Sequence, residues 1–118
     1  RSSSYDVGSG SVVEGYMCGA NAPYSHAEGA ECIASGKASH AEGYETQALG
    51  MYCHAEGFGT IASGIESHAE GRECIAKAWF SHAEGFGTIA ASMYQHVSCS
   101  YNIEDNVMKI SLLTQKIY

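Results

Sequence analysis

The sequence predicts an all-β fold, a parallel β-solenoid of about six 14-residue coils, and three observations carry that expectation. All six histidines, His26, His40, His54, His68, His82 and His96, stand 14 residues apart without exception. Around five of them the text barely changes: Ser25-His26-Ala27-Glu28-Gly29 returns from Ser39, Cys53, Ser67 and Ser81, and Val12-Val13-Glu14-Gly15 is a degenerate earlier copy. Each 14-mer is also two heptads of the form [Ser/Thr/Cys]-x-Ala-x-Gly-x-x, with alanine at the centre ten times running from Ala27 to Ala90. A fixed period of this kind marks units that cannot bury a face alone and do so by stacking.

The period of seven raises a coiled coil, and glycine rejects it. A helix would carry Gly at nearly every seventh residue, at about 1 kcal/mol each relative to Ala, with no large residue at the seam. As strand the pattern is coherent, because side chains alternate: Ser67, Ala69 and Gly71 share one face, and His68 and Glu70 the other. The small residues are expected inside a coil of two five-residue strands and two two-residue turns, too narrow for anything larger. Glycine is expected to supply the freedom that sharp corners need. Coils then stack in register at about 4.8 Å. Residues 12–95 form the β-roll, 1–11 an N-terminal extension or cap, and 96–118 a C-terminal exit, capping or oligomerising segment in which Val107 to Tyr118 suits a strand or short helix.

Composition narrows the function. Much of the apolar content is alanine, so one chain can bury only a thin core, and self-association is expected. A formal charge of −7 with six scattered Lys and Arg excludes a nucleic-acid footprint. No stretch approaches the roughly 20 apolar residues of a membrane span. The chain opens on Arg1-Ser2-Ser3-Ser4 without Met or a signal-like apolar core, and reads as a fragment or processed product. Five cysteines, Cys18, Cys32, Cys53, Cys74 and Cys99, form no CxxC pair and cannot all pair internally. Four of them replace Thr or Ser in inward columns, where burial explains them; Cys18 and Cys32 fall on adjacent coils, within reach of a disulfide.

Stacking turns each repeat position into a column. Like charges about 4.8 Å apart repel by about 1 kcal/mol even in water, so the glutamate column needs a partner, and histidine two residues away supplies it. The near-constant face of His26, Glu28, His40, Glu42, His54, Glu56, His68, Glu70, His82 and Glu84 is the first candidate for a contact with symmetry mates. The opposite face, with Ile33, Ile61, Ile75 and Ile89 interrupted by Gln47, is the alternative, favoured by apolar burial. At the corners, Tyr16, Tyr44, Phe58 and Phe86 follow the His strand, and Tyr24, Tyr52, Phe80 and Tyr94 lie in the other turn. They cannot enter the interior, so they line subunit contacts or form ledges for sugar rings. A histidine column invites a metal, but the neighbouring Glu gives each ring a partner without one, and no metal or cofactor is expected. Identical His/Glu pairs on every coil describe a lattice and not a catalytic pocket, so the chain is not expected to be an enzyme. Inward threonines argue against an ice-binding face.

The Ser-x-Ala-x-Gly heptads in 14-residue pairs, from about Val12 to Ser92, resemble the head repeats of YadA-like trimeric autotransporter adhesins. The wording Ser-His-Ala-Glu-Gly, ending in Met93-Tyr94-Gln95-His96-Val97 and Tyr101-Asn102-Ile103-Glu104-Asp105, is similar to repeats in bacteriophage tail or minor structural proteins and in surface proteins of Gram-positive bacteria. The resemblance implies a left-handed β-roll, a homotrimer, and an extracellular setting on a virion tail or bacterial cell surface, with a host-surface protein or glycan as further partner. Two departures stand out: adhesin heads place aliphatic pairs on the interface strand, where this chain has His/Glu or the looser Ile column, and the tail after Asp105 lacks the phage-type continuation.

Overall fold

A computed structural model describes residues 5–100, and its fold is the expected parallel β-solenoid. Two seven-stranded parallel sheets run along the stack. One is built from long strands: Val12–Tyr16, His26–Ala30, His40–Tyr44, His54–Phe58, His68–Arg72, His82–Phe86 and His96–Ser100. The other is built from Tyr5–Val7 and the short strands Gly19–Ala20, Ile33–Ala34, Gln47–Ala48, Ile61–Ala62, Ile75–Ala76 and Ile89–Ala90. Apart from an irregularity between Tyr5 and Val7, register is a shift of one coil, so His68 pairs His82 and His54, Ala69 pairs Ala83 and Ala55, and Ile75 pairs Ile89 and Ile61. Both sheets run past the repeated text, to Tyr5–Val7 at one end and His96–Ser100 at the other. The expected segment 107–118 lies outside the described residues. No helix among the described residues is long and apolar enough to cross a membrane.

The two halves of a coil are not the equal five-residue strands that the heptads suggest. The second half holds only two paired residues, because the chain bends directly after them. Leu49 N and Gly50 N both donate to Ala62 O, at 2.8 and 3.2 Å, and Ser63 N and Gly64 N both donate to Ala76 O, at 3.0 and 3.3 Å. Two donors converging on one carbonyl end a ladder, because the chain has bent between them.

In the first half the strand runs on through glycine. Gly57 is not inward, as simple alternation had it, but exposed, with φ 109°. A Cβ on Gly57 would overlap the carbonyl oxygen of Gly71 on the next coil. The backbone itself therefore demands glycine here, in the φ range that L-residues avoid.

The interior is as narrow as the sequence implies. Ala27, Ala34, Ala41, Ala48, Ala55, Ala62, Ala69, Ala76, Ala83 and Ala90 are all fully buried, beside Ser25, Ser39, Ser67, Ser81, Thr46, Thr60 and Thr88. Valine replaces alanine in this column at Val13 and Val97, on the first and last long strands. The buried serine hydroxyls are not idle: Ser25, Ser39, Ser67 and Ser81 Oγ donate to Ala22, Gly36, Gly64 and Ala78 carbonyls at 2.6–2.7 Å, closing the turn before four of the long strands. Cys18, Cys32, Cys53 and Cys74 are buried and unpaired.

Corners are held by the same coil-to-coil bonding. Tyr52 N donates to Lys37 O at 2.9 Å and Phe80 N to Ile65 O at 2.9 Å, while Tyr52 and Phe80 take left-handed φ of 61° and 59°. Glycine was expected to provide this freedom, yet Glu31, Glu45, Glu66 and Glu73 adopt the same conformation. The hydrogen bond gained at each corner offsets a left-handed cost of about 1–2 kcal/mol.

Candidate functional site

The long-strand sheet aims His and Glu outward on alternate positions, and in-register pairing stacks each on its own copy. The six imidazoles form one continuous column with ring centroids 4.5–4.8 Å apart and planes within 6° of parallel. That spacing is the strand separation of the sheet, so the rings inherit their stacking from the backbone.

Glutamates interleave with the rings. Within a strand, Nε2 of His26, His40, His54, His68 and His82 lies 2.9–3.1 Å from Oε1 of Glu28, Glu42, Glu56, Glu70 and Glu84. The same Oε1 atoms lie 3.5–3.9 Å from Nε2 of the following histidine, from His40 to His96. All ten residues proposed for the constant face are thus brought together, along one chain. Most of these imidazoles are about one-third exposed, while His96, on the last described strand, reaches 56%. Burial, then the His54 and His26 rings, hold His40 below the usual imidazole range, with Glu42 and Glu28 pulling the other way. His68 is lowered in the same manner by burial and by His82 and His54, against Glu70 and Glu56.

The aromatic positions divide. Tyr44, Phe58 and Phe86 are the last residues of long strands, not turn residues, and share a column with Tyr16 and Arg72. Tyr44 and Phe58 stack at 5.2 Å, and the Arg72 guanidinium sits between Phe58 and Phe86, 5.0 and 5.8 Å from their centroids. Arg72 carries no mark in the sequence except its position in that column. On the other corner, Phe80 stacks on Tyr94 at 5.3 Å and meets Trp79 edge-on, whereas Tyr52 is half exposed and flanked in its column by Ala38 and Glu66.

The short-strand side bears the larger apolar load. Ile33 and Leu49 are exposed, Ile61, Ile75 and Ile89 are half-buried, and the adjoining corner adds Met51, Ile65, Trp79 and Met93. Single positions looked unremarkable in sequence, because Met51, Ile65, Trp79 and Met93 share chemistry but not identity; only the 14-residue register aligns them.

No protein-family model, curated protein or solved structure matches this chain. Its class therefore rests on its own geometry: a repeat protein of parallel β-solenoid architecture.

Proposed function

We propose that the chain is a non-enzymatic rod segment of an extracellular homotrimeric fibre, of the kind found on a phage tail or a bacterial surface, with a structural or adhesive role. One observation carries the reading: large side chains lie outside and only small ones inside. Trp79 and Met93 are 50% and 52% exposed, while the interior is mostly alanine, serine, threonine and cysteine, with valine on the first and last long strands. An alanine interior removes little apolar area from water per residue, so apolar surface left outside is the natural source of further stability.

The face that favours self-association is the short-strand side with Ile61, Ile75 and Ile89 and the Met51–Ile65–Trp79–Met93 corner. The His/Glu face was the first candidate, but its carboxylates meet imidazoles within the same chain and have less need of a symmetry mate. Repeated His/Glu pairs along a ladder also favour scaffolding over catalysis.

A second reading, glycan or protein binding at the aromatic corners, is supported by exposed Tyr52 and Trp79. Sugar stacking needs open ring faces. Tyr44, Phe58 and Phe86, and likewise Phe80 and Tyr94, direct ring faces at each other or at Arg72.

Solution mass by light scattering tests the proposal. A trimer that dissociates in the double variant Ile61→Asp/Ile75→Asp, and persists in His54→Ala, is expected. A folded monomer at all concentrations removes the fibre reading and leaves the corners as the surfaces to pursue on a glycan array.

A further inference from the structure

Each step of the ladder gathers two imidazoles and one carboxylate: His26/Glu28/His40, His40/Glu42/His54, His54/Glu56/His68, His68/Glu70/His82 and His82/Glu84/His96. In every set one donor atom from each residue lies within 4.8 Å of the other two. The Glu Oε1 stands 2.9–3.1 Å from the first Nε2 and 3.5–3.9 Å from the second. A tetrahedral ion with bonds of about 2.0–2.1 Å places its donors about 3.3 Å apart, between those two distances.

A second observation points the same way. Nε2 of His26, His40, His54, His68 and His82 is buried and makes no hydrogen bond, although a carboxylate oxygen lies about 3 Å away. At such a distance only direction can be at fault: the oxygen lies well off the axis along which the ring nitrogen's proton or lone pair points. A buried ring nitrogen left without a hydrogen bond keeps its axis free for an ion.

We propose that the ladder is a chain of divalent transition-metal sites, each holding a zinc-class ion through Nε2 of two successive histidines and Oε1 of the glutamate between them. The fourth position is open to water or to a ligand from outside. Two imidazoles and a carboxylate suit the borderline ions zinc, nickel and copper(II) better than calcium or magnesium, which take all-oxygen sets. Coordination uses neutral imidazole with its proton on Nδ1. The site is independent of whether the chain associates.

Sharing sets the stoichiometry. Every histidine from His40 to His82 belongs to two sets, but its Nε2 binds one ion. Six histidines taken two at a time give three ions per chain, paired as His26/His40, His54/His68 and His82/His96. Each pair closes its Nε2 atoms by tilting the rings toward one another, which opens the gap to the next pair. Glu28, Glu56 and Glu84 are then ligands, while Glu42 and Glu70 become spectators at saturation.

The test is calorimetric titration of the metal-free chain with zinc sulfate, alongside cobalt(II) chloride followed by visible absorption. Three ions per chain are expected, with the intense absorption of tetrahedral cobalt. Glu56→Gln should weaken one of the three sites about tenfold, whereas Glu42→Gln should leave all three unchanged. His54→Ala/His68→Ala should bind two ions. Absence of saturable binding overturns the proposal, as does one ion per histidine. Two ions per chain in the parent, the ratio for one ion shared by three chains at each histidine layer, overturns the intrachain site. Equal weakening by Glu42→Gln and Glu56→Gln overturns the pairing.

Discussion

The two sheets of this solenoid are made from heptads of the same layout, yet one repeats almost letter for letter and the other wanders. On the long-strand side the outward His and Glu of the central coils each have an in-register copy above and below, at the 4.5–4.8 Å seen between the imidazoles. A side chain there must be compatible with itself at strand spacing, and alternating His and Glu columns meet that demand by contacting one another. On the short-strand side only two residues per coil are paired before the chain bends, so Ile, Gln, Leu, Ser and Lys can succeed one another. Constancy in a repeat can therefore arise from a chain's contact with its own neighbouring coils, with no outside partner required.

The comparison breaks most visibly at glycine. Gly57, inside a long strand, has φ 109° and no room for a Cβ against the Gly71 carbonyl; Gly59, at the corner, has φ 65° and an open site with Glu73 Cγ at 3.5 Å. Gly57→Ala is expected to cost about 3 kcal/mol or more, through both overlap and backbone strain. Gly59→Ala should cost only about 1 kcal/mol, the price of a left-handed alanine. Urea unfolding followed by circular dichroism measures both; equal losses would mean that the long strand is no more constrained than the corner.

Acid should act on the long-strand side. His40 and His68 are depressed below their unfolded value of about 6.5. A group lowered in the folded state contributes stability above its unfolded pKa and loses it as pH falls through the folded pKa. The urea midpoint of the metal-free chain is thus expected to fall between pH 7.5 and 5. A midpoint that rises over that window would show that attraction to Glu28, Glu42, Glu56 and Glu70 outweighs ring burial and ring–ring repulsion.

The smallest effects distinguish inside from outside. Ser67→Ala removes a buried 2.7 Å hydrogen bond to Gly64 O and should cost about 1 kcal/mol. Ser63→Ala, exposed on the short-strand side, should stay within about 0.5 kcal/mol of the parent. Similar values for the two would remove the hydroxyl's role in closing the turn.

Much of this was legible beforehand, for a specific reason. The 14-residue period of histidine fixes which residues become neighbours, because identical residues stack when coils repeat in register. Ten central alanines fix the inward face, since only small residues fit a coil this narrow, with valine in that column on the first and last long strands. The His/Glu contact was likewise readable from two residues sharing one face of a strand.

Direction was not written in the period. Alternation placed Gly57 inside, and the structure turns it out, because closing the coil rotates the backbone into a φ that only glycine holds easily. Equal heptads implied equal strands, and the bend after two paired residues shortened one of them. Spacing also brought Nε2 and Oε1 within 3.1 Å but could not say that the oxygen would miss the nitrogen's axis. Sequence by itself determined the period, the filling and the register of this protein. Tertiary structure alone decided where each group points, because a closed coil sets its rotations by how its corners join, and that is a property of the whole turn and not of any residue in it.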